Sequence, residues 1–235
     1  MTEWLPLDEL DRLLASVDVF ERLPPPELRA LAKGASLERL KAGEGVTVEP
    51  REHARRVIVL LAGRATVYEP GPHGHGLTLS VAEAGTVVGV AGLSERPRGL
   101  RIVATMPSLL GLMAFGSFEE VARRNPQVGL RLVRVLGERI GVLETRLADL
   151  AYRGVTARLA GAILRLVESE GVMGREGARL PTRYTHRQLG SMIGANREAT
   201  TRAMGKLRRR GIVEIRGHRI HVLDLETLGG VAQQT

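Results

Sequence analysis

The chain has 235 residues, 43% of them apolar, and a net charge of +8 from 34 lysines and arginines against 26 acids, which is long enough for two hydrophobic cores. No apolar run could span a bilayer, and zero cysteines exclude disulfides, a cluster held by cysteines alone and any thiol switch. The acidic start M-T-E-W-L-P-L-D-E-L lacks a signal-peptide charge pattern, so a cytoplasmic location with no membrane partner is expected.

In chain order, residues 10–32, L-D-R-L-L-A-S-V-D-V-F-E-R-L-P-P-P-E-L-R-A-L-A, read as a pair of amphipathic helices around a proline turn. From Leu40 to Leu112 the texture changes. Short β-rich runs, V-I-V-L-L, A-T-V-Y, L-T-L-S-V, T-V-V-G-V and R-I-V-A-T, alternate with turns at Gly43, Gly45, Gly63, Gly71, Gly76, Gly85 and Gly92. Many short strands of this kind predict a barrel or jelly roll. Within them P-G-P-H-G-H-G places His73 and His75 in what reads as a solvent-exposed hairpin loop. A metal-binding cupin would follow such a pair with a glutamate three or four residues on. Here the next acid is Glu83 and the strands after it hold no histidine, so no metal is expected.

Asn125-Pro126 opens a long helix, with proline in its first turn. Val133, Leu136, Ile140, Leu143, Leu147 and Leu150 recur at alternating spacings of three and four, the seam of a left-handed coiled coil, flanked by Arg131, Arg134, Glu138, Arg139, Glu144 and Arg146. Such a seam either joins two copies or packs within its own domain. A hinge is expected at Tyr152-Arg153-Gly154, after which Val155, Ala157, Leu159, Ala160 and Ile163 begin another amphipathic helix.

The most informative stretch is Thr185 to Leu207, T-H-R-Q-L-G-S-M-I-G-A-N-R-E-A-T-T-R-A-M-G-K-L. Leu189, Met192 and Ile193 give one buried helical face, and Gly194 supplies a left-handed stop. Asn196 then caps a second helix, with Ala199, Ala203, Met204 and Leu207 inward and Arg197, Glu198, Thr201 and Arg202 outward. An arginine can grip guanine O6 and N7 and a glutamate can accept from cytosine N4, so that face suits the major groove. Gly211 opens I-V-E-I-R-G-H-R-I-H-V, two strands around a turn at Arg216, Gly217 and His218. Between Gly177 and His221 stand eleven arginines or lysines against Glu198 and Glu214, a surplus of nine, whereas the rest of the chain carries 23 basic and 24 acidic residues, net −1. A cationic excess confined to one segment is a phosphate-binding footprint.

The run Y-T-H-R-Q-L-G-S-M-I-G-A-N-R-E-A-T-T-R-A-M-G-K-L-R-R-R-G-I-V resembles the DNA-binding domain of the Crp-Fnr family of bacterial transcription regulators. That pattern runs Thr-x-x-x-Leu-Ala-x-x-Ile-Gly, then Ser-Arg-Glu-Thr-Val-x-Arg. The similarity extends from about Leu10 to Leu228. It implies an α+β chain in three parts: a sensor domain over 1–124 with a double-stranded β-helix or jelly-roll barrel, a dimerisation helix over 125–152, and a winged helix-turn-helix over 153–235. It also implies a homodimer on an inverted repeat of double-stranded promoter DNA, with RNA polymerase as a further partner. Arg197, Glu198 and Arg202 fall on the base-reading positions, Thr185 and His186 near the phosphates, and Arg216 and His218 in the wing; Asn196, Thr200 and Thr201 complete the expected contacts. Asn196 replaces the usual Ser, and Ala199-Thr200 replaces Thr-Val.

In the cyclic-nucleotide members a Gly-Glu dipeptide holds the ribose and a later Arg-Ser holds the cyclic phosphate. The matching segment V-V-G-V-A-G-L-S-E-R-P-R-G-L-R-I-V-A puts Gly89-Val90 and Arg98-Gly99 on those positions. Valine offers the ribose no acceptor, and burying an unpaired hydroxyl costs roughly 1 to 3 kcal/mol. The resemblance therefore implies control without cyclic nucleotide and without a cofactor. A small-molecule or haem sensor, the latter using His73 or His75 as its one axial ligand, is the alternative reading of the barrel. The sequence holds no glycine-rich phosphate loop, nucleophile elbow or framed carboxylate pair, so no enzymatic activity is expected.

Overall fold

The computed structural model describes residues 7–48, 56–71, 76–91, 100–174 and 177–234. Contacts divide the chain into two units, one of residues 1–70 with 79–141 and the other of 71–78 with 142–235.

The first unit begins with α1 (Leu7–Ala15), a 3-10 turn at Asp18–Phe20 and α2 (Pro25–Ala32). Its strands are β1 (Ser36–Leu40), β2 (Gly45–Val48), β3 (Arg56–Ala62), β4 (Arg64–Pro70), β5 (Gly76–Glu83), β6 (Thr86–Ala91), β7 (Leu100–Ala104) and β8 (Ser108–Ala114). They form two four-stranded sheets in the orders β1-β8-β3-β6 and β2-β7-β4-β5, the strand order of a jelly roll.

Strand β3 explains why the run V-I-V-L-L is apolar throughout rather than alternating. Ile58 and Leu60 point into the barrel with Val67, Ala82, Val88, Ile102 and Leu110. Val57, Val59 and Leu61 point the other way, against Leu14, Phe20 and Leu31 of the N-terminal segment and Phe118 of α3 (Phe115–Arg124). A strand with apolar layers on both faces has no solvent side to encode. Val128 and Leu132, in the first turns of α4 (Pro126–Tyr152), close this second layer.

Arg139 departs from its expected flanking role on α4. It is half-buried and donates to the carbonyls of Val87 and Val88, the latter at 3.3 Å. Burial pushes its pKa down, while the charge of Asp18 opposes the shift. Arg131 likewise donates to the Glu21 carbonyl. These arginines tie the helix to its own unit with their tips, and their stems line it.

The second unit continues through α5 (Val155–Glu170), β9 (Val172–Gly174), β10 (Gly177–Arg179), α6 (His186–Ile193), α7 (Arg197–Arg209), β11 (Val213–Arg216), β12 (Arg219–Val222) and α8 (Leu225–Ala232). Leu159 and Ile163 of α5, Leu189 and Ile193 of α6 and Met204 and Leu207 of α7 share one core with Ile220 and Val222 of the hairpin. The break expected at Tyr152-Arg153-Gly154 is present, and it is pinned: Arg158 donates to the Arg153 carbonyl at 2.9 Å and Arg153 pairs with Asp149 at 3.0 Å.

The run V-A-Q-Q-T has the look of a tail in the sequence, but its Val231 and Ala232, buried against the core with Leu228, belong to α8. Asp224 caps it, accepting the Thr227 N–H at 2.8 Å. Strands β1, β2, β8, β9 and β10 and helix α3 had no sequence expectation either.

Candidate nucleic-acid interface

Each end of the α6–α7 pair is fixed by its own residues. Thr185 starts α6 with a reciprocal cap: its Oγ1 accepts the Gln188 N–H at 3.2 Å and its N–H and hydroxyl both donate to Gln188 Oε1 at 2.8 Å. That hydroxyl, expected near the phosphates, is thus engaged within the helix cap. Gly194 ends α6 at φ +62°, and the Ala195 N–H bonds back to the Gly190 carbonyl at 2.9 Å. Asn196 opens α7 by accepting the Ala199 N–H at 2.8 Å.

Gly190 is a position that the sequence pattern did not single out. A Cβ there would lie 2.6 Å from the Ala195 carbonyl oxygen and 2.9 Å from Thr200 Oγ1. Any side chain there would force the two helices to shift apart. Glu170 is another: it accepts hydrogen bonds from Thr182 and Tyr184, anchoring the loop that delivers α6 to the end of α5. The signal in hindsight is the tyrosine directly before the T-H-R-Q cap.

On α7 the structure brings Arg197, Glu198, Thr201 and Arg202 together on the exposed face. Arg202 and Glu198 are one turn apart at 3.9 Å with side chains 70% and 84% exposed, so both heads stay available to a ligand. Thr200 is a correction. It is fully buried and its hydroxyl donates to the Asn196 carbonyl at 2.8 Å, because it lies on the same stripe as Ala203, Met204 and Leu207. It packs the helix pair and is not a DNA-facing residue.

His186 Nδ1 lies 2.7 Å from Thr201 Oγ1, joining the first turn of α6 to the exposed face of α7. Arg208, Arg209 and Arg210 continue the cationic surface at the end of α7, all exposed. The β11–β12 hairpin turns on Gly217 and His218 at φ +57° and +62°, the two left-handed residues of a type I′ turn, whose twist matches the strands. Arg216 pairs with Glu214 at 2.8 Å and holds that carboxyl below the usual range. Arg219 donates to the Pro181 carbonyl at 2.9 Å, so it braces the hairpin against the loop before α6.

On α4 the six heptad residues are all exposed, from Leu136 at 36% to Leu147 at 68%. Leu150, the last of them, also rests against the Gly194 turn, where a Cβ would meet its Cδ2 at 2.8 Å.

Residues 157–230 match the Crp-like helix-turn-helix domain. Over 220 residues the chain is 22% identical to the CRP-like cAMP-activated global transcriptional regulator of Mycobacterium tuberculosis, covering 93% of this chain and 98% of that one. It is 28% identical over 179 residues to the global nitrogen regulator of a Nostoc species, covering 74% and 79%. The chain thus carries a Crp-like helix-turn-helix domain and is similar over most of its length to bacterial transcription regulators. Among solved structures, a transcriptional regulator of the CRP/FNR family from Thermus thermophilus has the same fold at a TM-score of 0.67 and 24% identity, covering 84% of this chain and 98% of that one. A CooA variant from Carboxydothermus hydrogenoformans gives a TM-score of 0.72 at 19% identity, covering 91% and 92%.

The family regulates transcription and is not a family of enzymes. Gly89 is buried in β6 opposite Ile58, and Val90 pairs with Val57 across the same ladder. Arg98 and Gly99 lie outside the described residues, as do His73 and His75. Among the described residues no cluster of histidine, aspartate and glutamate could hold a metal, and no helix is long and apolar enough to cross a membrane.

Proposed function

We propose that this regulator acts as a cytoplasmic homodimer that binds an inverted repeat in double-stranded promoter DNA without requiring a cyclic nucleotide. The observation that carries the reading is the outer face of α7, where Arg197, Glu198 and Arg202 are exposed beside Arg208, Arg209 and Arg210. Asn196 and Thr201 border that face, His186 joins it from α6, and Arg216 and His218 reach from the wing. The exposed seam Val133, Leu136, Ile140, Leu143, Leu147 and Leu150 is the surface for a second copy. On this reading residues 1–124 form the sensor domain, 125–152 the dimerisation helix and 153–235 the DNA-binding domain, with RNA polymerase met at the promoter.

Control without cyclic nucleotide is supported by Val90. The M. tuberculosis relative is described as cAMP-activated, but a valine has no acceptor for a ribose hydroxyl, so the Gly89-Val90 and Arg98-Gly99 pairs are a poor nucleotide cradle. A ligand shifts a dimer between states only through its differential affinity. The test titrates purified protein, free of haem by its visible spectrum, against duplexes it has itself enriched from a random pool. Selective, salt-dependent binding is expected, and it should be unchanged by millimolar cyclic AMP or cyclic GMP. A gain in affinity of about tenfold with either nucleotide would overturn the second half of the reading.

A further inference from the structure

We propose that His186 is a proton-linked contact to a DNA phosphate: it enters the interface as the imidazolium, taking up one proton per half-site, with Thr201 deciding which ring nitrogen meets the anion. This rests on the reading of α6 and α7 as a DNA-binding surface and adds a chemical condition to it.

One hydroxyl fixes the tautomer of the ring. Thr201 Oγ1 lies 2.8 Å from the Arg197 carbonyl oxygen, one turn back on α7, so its single hydrogen is committed to that bond. The same oxygen lies 2.7 Å from His186 Nδ1. A hydroxyl whose proton is already donated can only accept, so Nδ1 carries the hydrogen. In the neutral ring this leaves Nε2 with a lone pair. A lone pair repels a phosphate oxygen, whereas Nε2–H of the imidazolium donates a charge-assisted hydrogen bond to it. Protonation therefore reverses the sign of the contact without turning the ring, because the bond to Thr201 is the same in both states.

The surroundings leave the countercharge to the DNA. Charged groups on the neighbouring segments are Arg183 in the preceding loop, Arg187 on α6, Arg197, Glu198, Arg202 and Lys206 on α7, and Arg158, Arg165, Glu168 and Glu170 on α5. Glu198 is turned to Arg202, and Glu170 accepts from Thr182 and Tyr184. Nor is the imidazole needed to close the helix, since Thr185 and Gln188 complete the cap between themselves.

The experiment measures binding of the full-length protein to a fixed random-sequence duplex, long enough for two half-sites, for wild type, H186Q and H186R. Wild type should bind roughly tenfold tighter per half-site at about pH 6 than at about pH 8. Its salt slope should steepen at the lower pH by about 0.9 per half-site, as one more phosphate is neutralised. H186R should bind tightly at both values and H186Q weakly at both. The same pH response in wild type and H186Q, or an equal loss for H186Q at both pH values, would overturn the proposal. Absence of DNA binding by every variant at either pH would instead bring down the reading of the surface itself.

Discussion

Helices α4 and α7 both leave one face in solvent, and the two faces are of opposite kinds. That of α4 is a heptad stripe of valine, leucine and isoleucine, each at least 36% exposed. That of α7 is charged and polar, with Arg197, Glu198, Thr201 and Arg202 in the open and Ala203, Met204 and Leu207 turned inward. An apolar stripe in water is an unfavourable state that covering would relieve, at roughly 25 cal/mol for each Å², as the proposed second copy would do. A cationic face in water is already well solvated, so it gains from DNA through counterion release and hydrogen bonds rather than through burial. Exposure alone therefore does not identify a binding surface; the chemistry of what is exposed separates the proposed dimer seam from the proposed phosphate footprint.

The largest effect should come from abolishing that difference. Leu143→Arg places a charge, and its symmetry mate, in the middle of the apolar stripe, a cost of several kcal/mol per dimer. Sedimentation should then show monomers with near-wild-type circular dichroism that no longer bind DNA selectively. An intact dimer would move the interface away from α4.

Next is Gly190→Ala, which disturbs the packing that holds α7 in place and leaves both exposed faces untouched. The added methyl would press on the Ala195 carbonyl and Thr200, and overpacking of this kind costs about 1 to 3 kcal/mol. Thermal melts should show a lower transition for the second unit, with DNA affinity falling alongside. An unchanged melt would mean that the helix pair spreads to accommodate the methyl.

Within the α7 face, base reading and phosphate binding should separate. Arg202→Ala is expected to cost about 1 to 3 kcal/mol on an enriched site and little on random duplex. Arg209→Ala or Arg210→Ala should weaken all sequences and flatten the salt slope by about 0.9 per lost contact. Equal losses on both duplexes for Arg202→Ala would remove it from base recognition.

The smallest effect concerns the Glu214–Arg216 pair in the wing. Arg216 holds the folded carboxyl below its ordinary value of 4.5. The pair's contribution is therefore full above the unfolded pKa and is lost as pH falls through the lower folded value. Because both groups are exposed, salt should erase it. Melts of wild type and Glu214→Gln should differ slightly at neutral pH and low salt and converge in acid. A difference that persisted in strong salt would point to packing.

Much of the second unit was legible in the sequence because its signals are local. The cap at Asn196, the stop at Gly194 and the Gly217-His218 turn each involve residues within four positions of one another, and such bonds form in much the same way whatever surrounds them. The heptad of α4 was legible for a related reason, since a repeat of three and four can only be a helix face. Of the barrel, the strand runs could be recognised, but not their pairing.

What the sequence alone determined, then, was the order of the main regions, the winged helix-turn-helix and the location of the positive charge. Only the tertiary structure decided that Thr200 packs inward, that Arg139 spans to the Val87 and Val88 carbonyls, that β3 is buried on both faces, and that the last residues fold as α8 against α5. These features depend on groups far apart in the chain. Thr200 was expected among the DNA contacts, and it is the core of α5, α6 and α7 that claims it. A three-residue strand such as β9, or a glycine-containing helix such as α8, has little local preference, and it takes its form from the surface on which it closes.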